Sequence, residues 1–291
     1  MSWLAWGVAC AACMGVVDVI SKRALREFEP AIVGTARLGF AIPLLSVPII
    51  LRGWPTLQPG FWPTVLAMLP LEVLAFFLLL EALRAAPLAE TVPFLSITPL
   101  VTVLASWLIL GERVTWCGFA GICVVGAGGY LLYGHELRHG YLGPFRAMVR
   151  SRGTRLMVLV ALLYSVTSTL GKRAIARSDP LTFPGIYFAI LWLAFALALW
   201  CRGHRPKAFW HAVRRRPGLL ISMGLLDGTT FLLHAVGILR APVAYFISVK
   251  RLSSVVSIVL GGWLFREDHL RLRILGAACM AIGVVLLALG S

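Results

Sequence analysis

The chain has 291 residues, 59% of them hydrophobic and only 13% charged, with a formal net charge of +15. A soluble globular protein carries roughly a quarter charged residues, so a soluble enzyme or binding module is excluded as the bulk of this chain. A basic excess in a soluble domain would point to nucleic acid. With no soluble domain to carry it, basic loops facing anionic lipid are the simpler source, and no nucleic-acid partner is expected.

The apolar residues come in runs of about 20, the length that crosses a bilayer. Ten runs qualify, approximately 2–21, 30–51, 61–83, 88–110, 115–134, 154–175, 181–201, 217–239, 242–265 and 271–290. The expected fold is all-α and polytopic. The start, MSWLAWGVACAAC, reads as the first span and not as a removable signal. Nine of the 10 Trp residues fall near expected span ends, among them Trp3, Trp54, Trp62, Trp200, Trp210 and Trp263, as in an interfacial aromatic belt. The six Cys fall in or at the ends of spans. Cys10 and Cys13 lack a second ligand pair nearby, so neither a metal site nor a cofactor is expected.

The chain repeats itself. ISKRALREFEP (20–30) matches LGKRAIARSDP (170–180) at an offset of 150, and from Ala86-Pro87 onward the offset is 155, pairing Glu112 with Glu267 and Gly121 with Gly276. The five extra residues fit in the basic connection CRGHRPKAFWHAVRRRP, read as a loop. Two halves of five spans follow, residues 1–134 and 154–291, joined by a connecting loop at 135–153. Because five is odd, the second half enters the membrane from the opposite side. Inverted repeats of this kind mark transporters with a site between the halves.

The GER after the fourth span (LASWLILGERVTWCGFAGICVVGAGGYLL) and its echo LGGWLFREDHLRLRILGAACMAIGVVLL resemble the EamA-type drug/metabolite transporter superfamily, over nearly the whole chain. The resemblance implies ten helices around a central cavity, alternating access and a small-metabolite substrate. It names no substrate and implies no enzyme activity. Connections 1–2, 3–4, 5–6, 7–8 and 9–10 hold 18 Lys/Arg against 6 in the others. The positive-inside rule then places both termini outside, whereas members of the superfamily usually have both inside. The charge count is followed here. The expected setting is a bacterial cytoplasmic membrane, with lipid as a partner and the chain a monomer or homodimer.

Charges inside spans are costly and carry the functional reading. Lys250 and Arg251 stand adjacent in the ninth span, where the first half has Leu95-Ser96. A Lys-Arg pair there resembles the sugar-phosphate branch of the superfamily, in which it contacts phosphate. An ammonium beside a guanidinium suits an anionic or zwitterionic ligand. Ser254 and Thr98, on small polar faces of the ninth and fourth spans, are expected either to line the cavity or to pack helices closely. Glu72 and Asp227 are repeat mates, and His234 follows Asp227 by two helical turns. All three are expected as candidate proton-coupling groups, and Glu72 or Asp227 alternatively as the charge partner that neutralises Arg251. Lys22 and Lys172 are expected to snorkel, Arg37 to pair with Asp18 or Glu27, and Asp18 to be solvated near its span end.

Two alternatives stand beside the metabolite transporter. One is a carrier or flippase for an anionic lipid-linked molecule. The other is an intramembrane zinc metalloprotease, suggested by HELRH (135–139), with His135, Glu136 and His139 and a third ligand from Asp227. Gly134 and Gly140 bracket that motif and favour a turn over the helix such chemistry needs.

Overall fold

The computed structural model describes residues 2–132, 151–201, 203, 206–265 and 270–290. HELRH, most of the 5–6 connection and Glu267 lie outside the described residues. The described residues form ten apolar helical segments. Eight are long and apolar enough to cross a membrane: Trp3–Ala24, Pro30–Arg52, Phe61–Ala85, Val92–Leu110, Arg152–Ala176, Phe183–Cys201, Pro217–Ile238 and Val243–Leu264. Two further apolar helices, Trp116–Leu132 and Leu270–Leu289, complete the ten as the fifth and tenth spans. Their outer surfaces are apolar because lipid is the solvent there. Leu51, Leu66, Trp107, Trp116, Trp200 and Trp263 are all more than half exposed.

Polar ties at the span ends show the inversion directly. At the face holding both termini, Lys172 donates to Glu112 and to the Ala241 carbonyl, Thr115 donates to the Gly290 carbonyl, and Arg177 donates to the Gly60 carbonyl. At the opposite face Lys22 donates to the carbonyls of Leu83 and Ala86, and Arg216 pairs with Glu27. Lys22 and Lys172 are repeat mates, yet they close opposite faces. Both do more than snorkel: each ammonium satisfies carbonyls freed at the Ala-Pro break between two spans.

The fifth and tenth spans cross on the pseudo-two-fold axis through four glycines. A Cβ on Gly128 would stand 2.8 Å from the Gly276 carbonyl oxygen, and one on Gly276 would stand 2.8 Å from that of Gly128. Gly121 and Gly283 are related in the same reciprocal way, at 2.9 and 2.8 Å. Small residues are what let two backbones approach this closely in lipid.

Three features depart from the expectations. The second span is two helices, Pro30–Gly39 and Ile42–Arg52, with Pro43 in the first turn of the second piece. The connection between the seventh and eighth spans is not a plain loop but holds the amphipathic helix Pro206–Arg215. The fourth and ninth spans are both discontinuous. The fourth runs as a helical turn, a 3-10 stretch over Val92–Ile97 and a 13-residue helix Thr98–Leu110. The ninth runs as Val243–Lys250, a turn at Arg251-Leu252, and a 13-residue helix Ser253–Phe265. At the 155-residue offset the two 13-residue pieces coincide end for end. Pro93 and Pro99 explain the break in the fourth span, since neither can donate to the ladder. In the ninth, Leu252, Ser254 and Val255 each bond three residues back, a tightened turn made without proline.

Candidate functional site

Helix breaks at membrane depth persist only where protein buries them or where they line a cavity. The break in the ninth span meets a cavity of about 100 Å³ between the two repeats. Its wall is built largely from repeat mates: Met14 with Tyr164, Arg37 with Tyr187, Leu38 with Phe188, Glu72 with Asp227, and Phe76 with Phe231. It therefore straddles the pseudo-two-fold axis. Glu72 and Asp227 stand at the middle of their helices, Phe61–Ala85 and Pro217–Ile238.

Five expected site residues meet here: Lys250, Arg251, Glu72, Asp227 and His234 all line the cavity. Thr98 and Ser254 do not. Both are fully buried between helices, where Ser254 donates to the Val92 carbonyl and the Thr98 carbonyl accepts from Thr102 and Ser165. Of their two expected roles, close packing is the one the geometry provides.

The ion pair at the site was not foreseen. Arg37 donates from Nη2 to Asp227 Oδ1 at 2.8 Å, with the two side chains 3% and 9% exposed. Its guanidinium lies 5.5 Å over the Phe76 ring and reaches Ser21 Oγ at 3.4 Å, so both partner and packing fix it. Neither expected partner forms the direct ion pair with Arg37. Glu27 is taken by Arg216 at the span ends. Asp18 is only 1% exposed rather than solvated, because its helix continues to Ala24, and it accepts from Ser257 instead. Asp227 is therefore not the neutralising partner of Arg251. Among the described residues neither Lys250 nor Arg251 has a salt bridge, and Arg251 Nε has no hydrogen-bond partner.

Around the cations the wall is aromatic, with Phe76, Tyr164, Tyr187, Phe188 and Phe231. Phe231 sits against Phe188 at 4.7 Å and His234 at 5.5 Å between ring centroids. The Tyr187 hydroxyl and His234 Nδ1 are buried without hydrogen-bond partners among the described residues. Thr230 and Ser168 add small hydroxyl groups to the wall. Sequence reasoning passed over Arg37 and Tyr187 as site residues. Their pairing at the 150-residue offset was a signal available for both.

Fold and site together define a multi-pass membrane protein with a polar cavity between inverted halves. The sequence matches the EamA-like transporter family over residues 1–134 and 151–289, and the chain belongs to that family. No curated protein matches it. Among 29 matching chains of solved structures, one crystal structure at 17% identity superposes with a TM-score of 0.72, covering 99% of this chain and 96% of that one. At that identity the likeness concerns the fold alone.

Proposed function

We propose that this protein moves a small anionic or zwitterionic metabolite across the membrane by alternating access, with Lys250 and Arg251 as its charged contacts. One observation carries the reading: two adjacent cations line a cavity between the halves and have no salt bridge among the described residues. The Arg37–Asp227 pair takes up one carboxylate and one guanidinium, leaving Glu72 as the remaining acidic group on the wall. Glu72 and His234 are then the groups placed to exchange protons beside a bound anion, and Asp227 acts as the charge partner of Arg37. A cavity of about 100 Å³ is well below the roughly 300 Å³ at which drug-sized sites begin. Substrate entry thus needs the spans to part, and the paired helix breaks supply hinges. The 18-to-6 bias supports an orientation with the basic face in the cytoplasm.

Two observations weigh against the alternatives. An apolar groove of about 740 Å³ lies beside the fourth span, not the ninth, and shares no lining residue with the cavity, which disfavours a lipid-linked substrate held at Lys250. Asp227, the third ligand a zinc site would need, is engaged by Arg37.

The test is uptake of a panel of anionic metabolites into proteoliposomes by wild type and Lys250→Ala. A charge-assisted contact is worth about 1.5–3 kcal/mol, so the variant should lose roughly 10- to 100-fold in affinity. A parallel thermal-shift screen identifies the ligand, because bound metabolite raises the midpoint of wild type more than that of the variant. Undiminished transport of every anion by an inserted, monodisperse variant would overturn the assignment.

A further inference from the structure

The two repeats differ most at one connection. Residues 53–60, between the second and third spans, contain no Lys or Arg, whereas 202–216 contain six, and the five-residue change of register falls here. The insertion forms the helix Pro206–Arg215 on the basic face. Phe209, Ala212 and Val213 turn inward at helical spacing, and Phe209 stacks on Phe40 with ring centroids 6.3 Å apart. Lys207, His211, Arg214 and Arg215 are exposed. Beside this helix, between the second and seventh spans, runs a groove of about 320 Å³ lined by Ile32, Ala196, Leu199, Trp200 and Trp210. Glu29 also lines it and has a partner of its own.

Trp200 and Trp210 are 71% and 60% exposed, as side chains at the water–lipid boundary are. Lys207 and Arg214 lie three residues before and four after Trp210, so they share its side of the helix, exposed just outside the residues that line the groove. A basic amphipathic helix with tryptophan at its flank is the chemistry that holds anionic headgroups.

We propose that the groove and helix form a binding site for an anionic phospholipid. One acyl chain lies along Ala196 and Leu199, and the phosphate sits against Lys207 and Arg214. The site shares no residue with the central cavity, so it is a lipid contact and not a substrate subsite. Its occupant follows from charge: the face presenting it carries 18 of the 24 loop cations and meets the anionic leaflet in the proposed orientation.

Native mass spectrometry of the full chain tests this, using phosphatidylglycerol and phosphatidylcholine with identical acyl chains. Wild type should prefer phosphatidylglycerol, and Lys207→Ala/Arg214→Ala should reduce that preference by roughly 30-fold, the effect of two basic side chains near an anionic surface. Ala196→Phe should weaken retention of both lipids while the basic residues remain. Ala196→Leu, a smaller intrusion, keeps this arm decisive if the larger side chain prevents folding. Equal retention of the two lipids by wild type, an unchanged preference in the double variant, or a groove that proves to be covered by a second copy of this chain would each overturn the proposal.

Discussion

The fourth and ninth spans are the same element built twice, with opposite contents at the break. In the fourth, Leu95 and Ser96 occupy the broken turn and are 2% and 3% exposed within packed helices. In the ninth, the matching Lys250 and Arg251 face the cavity. Each broken helix leans on the opening span of the opposite half. The Ser165 hydroxyl of the sixth span lies 3.1 Å from the Thr98 carbonyl oxygen, and the Ser257 hydroxyl of the ninth lies 3.3 Å from the carbonyl oxygen of Gly15, the repeat mate of Ser165. The scaffold is thus symmetric while the chemistry is one-sided. The third and eighth spans repeat the lesson: Asp227 is held by Arg37, whereas its mate Glu72 faces the side of the cavity where Tyr187 replaces the arginine. A symmetric frame suits a hinge that must work from both faces, and one charged side suits a ligand with one charged end.

The comparison breaks most directly if the ninth span is given the contents of the fourth. Lys250→Leu/Arg251→Ser should insert and fold, because the fourth span already holds that pair in the same turn. It removes two charge-assisted contacts, together about 3–6 kcal/mol, so transport in proteoliposomes should fall below detection. Retained transport would show that the asymmetry at the break is not where the ligand is held.

The next effect separates Asp227 from Glu72. Asp227→Asn leaves the Arg37 guanidinium buried without its counter-charge, a change that costs about 3–5 kcal/mol. Glu72→Gln removes no salt bridge among the described residues, so its cost should lie near 1 kcal/mol, the worth of an ordinary hydrogen bond. Thermal unfolding in detergent should rank the two in that order, and Arg37→Met should recover much of the loss in the Asp227→Asn background. Equal losses from the two acid variants would mean that the repeat mates are equivalent after all.

The legible parts of this molecule were those that leave a periodic trace. Ten apolar runs and two constant offsets reveal the spans, the repeat and its inversion, because lipid demands a fixed length of apolar helix and a repeat demands corresponding residues. The breaks in the fourth and ninth spans left no such trace, since hydropathy does not register which carbonyl an amide bonds. Pro93 and Pro99 hinted at one of them, and nothing comparable marks the other. The partner of Arg37 lies 190 residues away, and the nearer Asp18 and Glu27 drew attention by proximity in sequence. Pro206–Arg215 passed for a loop because ten residues with several charges look polar until the inward placement of Phe209, Ala212 and Val213 is known. Thr98 and Ser254 show that a small polar stripe does not by itself distinguish a cavity wall from a helix crossing.

A smaller effect is expected where the halves are most alike, at the crossing of the fifth and tenth spans. Gly128→Ala places a Cβ 2.7 Å from the Met280 amide nitrogen and 2.8 Å from the Gly276 carbonyl oxygen, backbone atoms that cannot turn aside. Overpacking of this kind costs about 1–3 kcal/mol, and Gly283→Ala, at the repeat mate of Gly128, should match it by symmetry. Gly171→Ala is the control. Nothing stands within 4 Å of its added carbon, so the gain in helix propensity should leave stability unchanged or slightly higher. A scan of thermal midpoints checks all three. A harmless Gly128→Ala would show that the two spans do not cross this closely.

The smallest effect belongs to the tie at the terminal face, where Glu112 receives both Lys172 and the amide of Val243 at the start of the ninth span. This carboxylate is the acid of the GER string, which therefore anchors one half to the broken helix of the other. The ion pair is partly exposed, with side chains 15% and 18% accessible, and pairs of that kind contribute about 0–1 kcal/mol. Glu112→Gln keeps an oxygen for the Val243 amide and loses both the charge and the acceptor for Lys172, whose ammonium still has the Ala241 carbonyl, so global stability should change little. The consequence should appear in access instead. If parting of the halves at this face opens the cavity, weakening the tie by up to about 1 kcal/mol should raise the open fraction by as much as about 5-fold. Ser168 lines the cavity, so Ser168→Cys provides a reporter for a water-soluble thiol reagent. Its labelling rate should rise in the Glu112→Gln background. A labelling rate indifferent to Glu112 would place the opening at the other face, where Lys22 binds the carbonyls of Leu83 and Ala86.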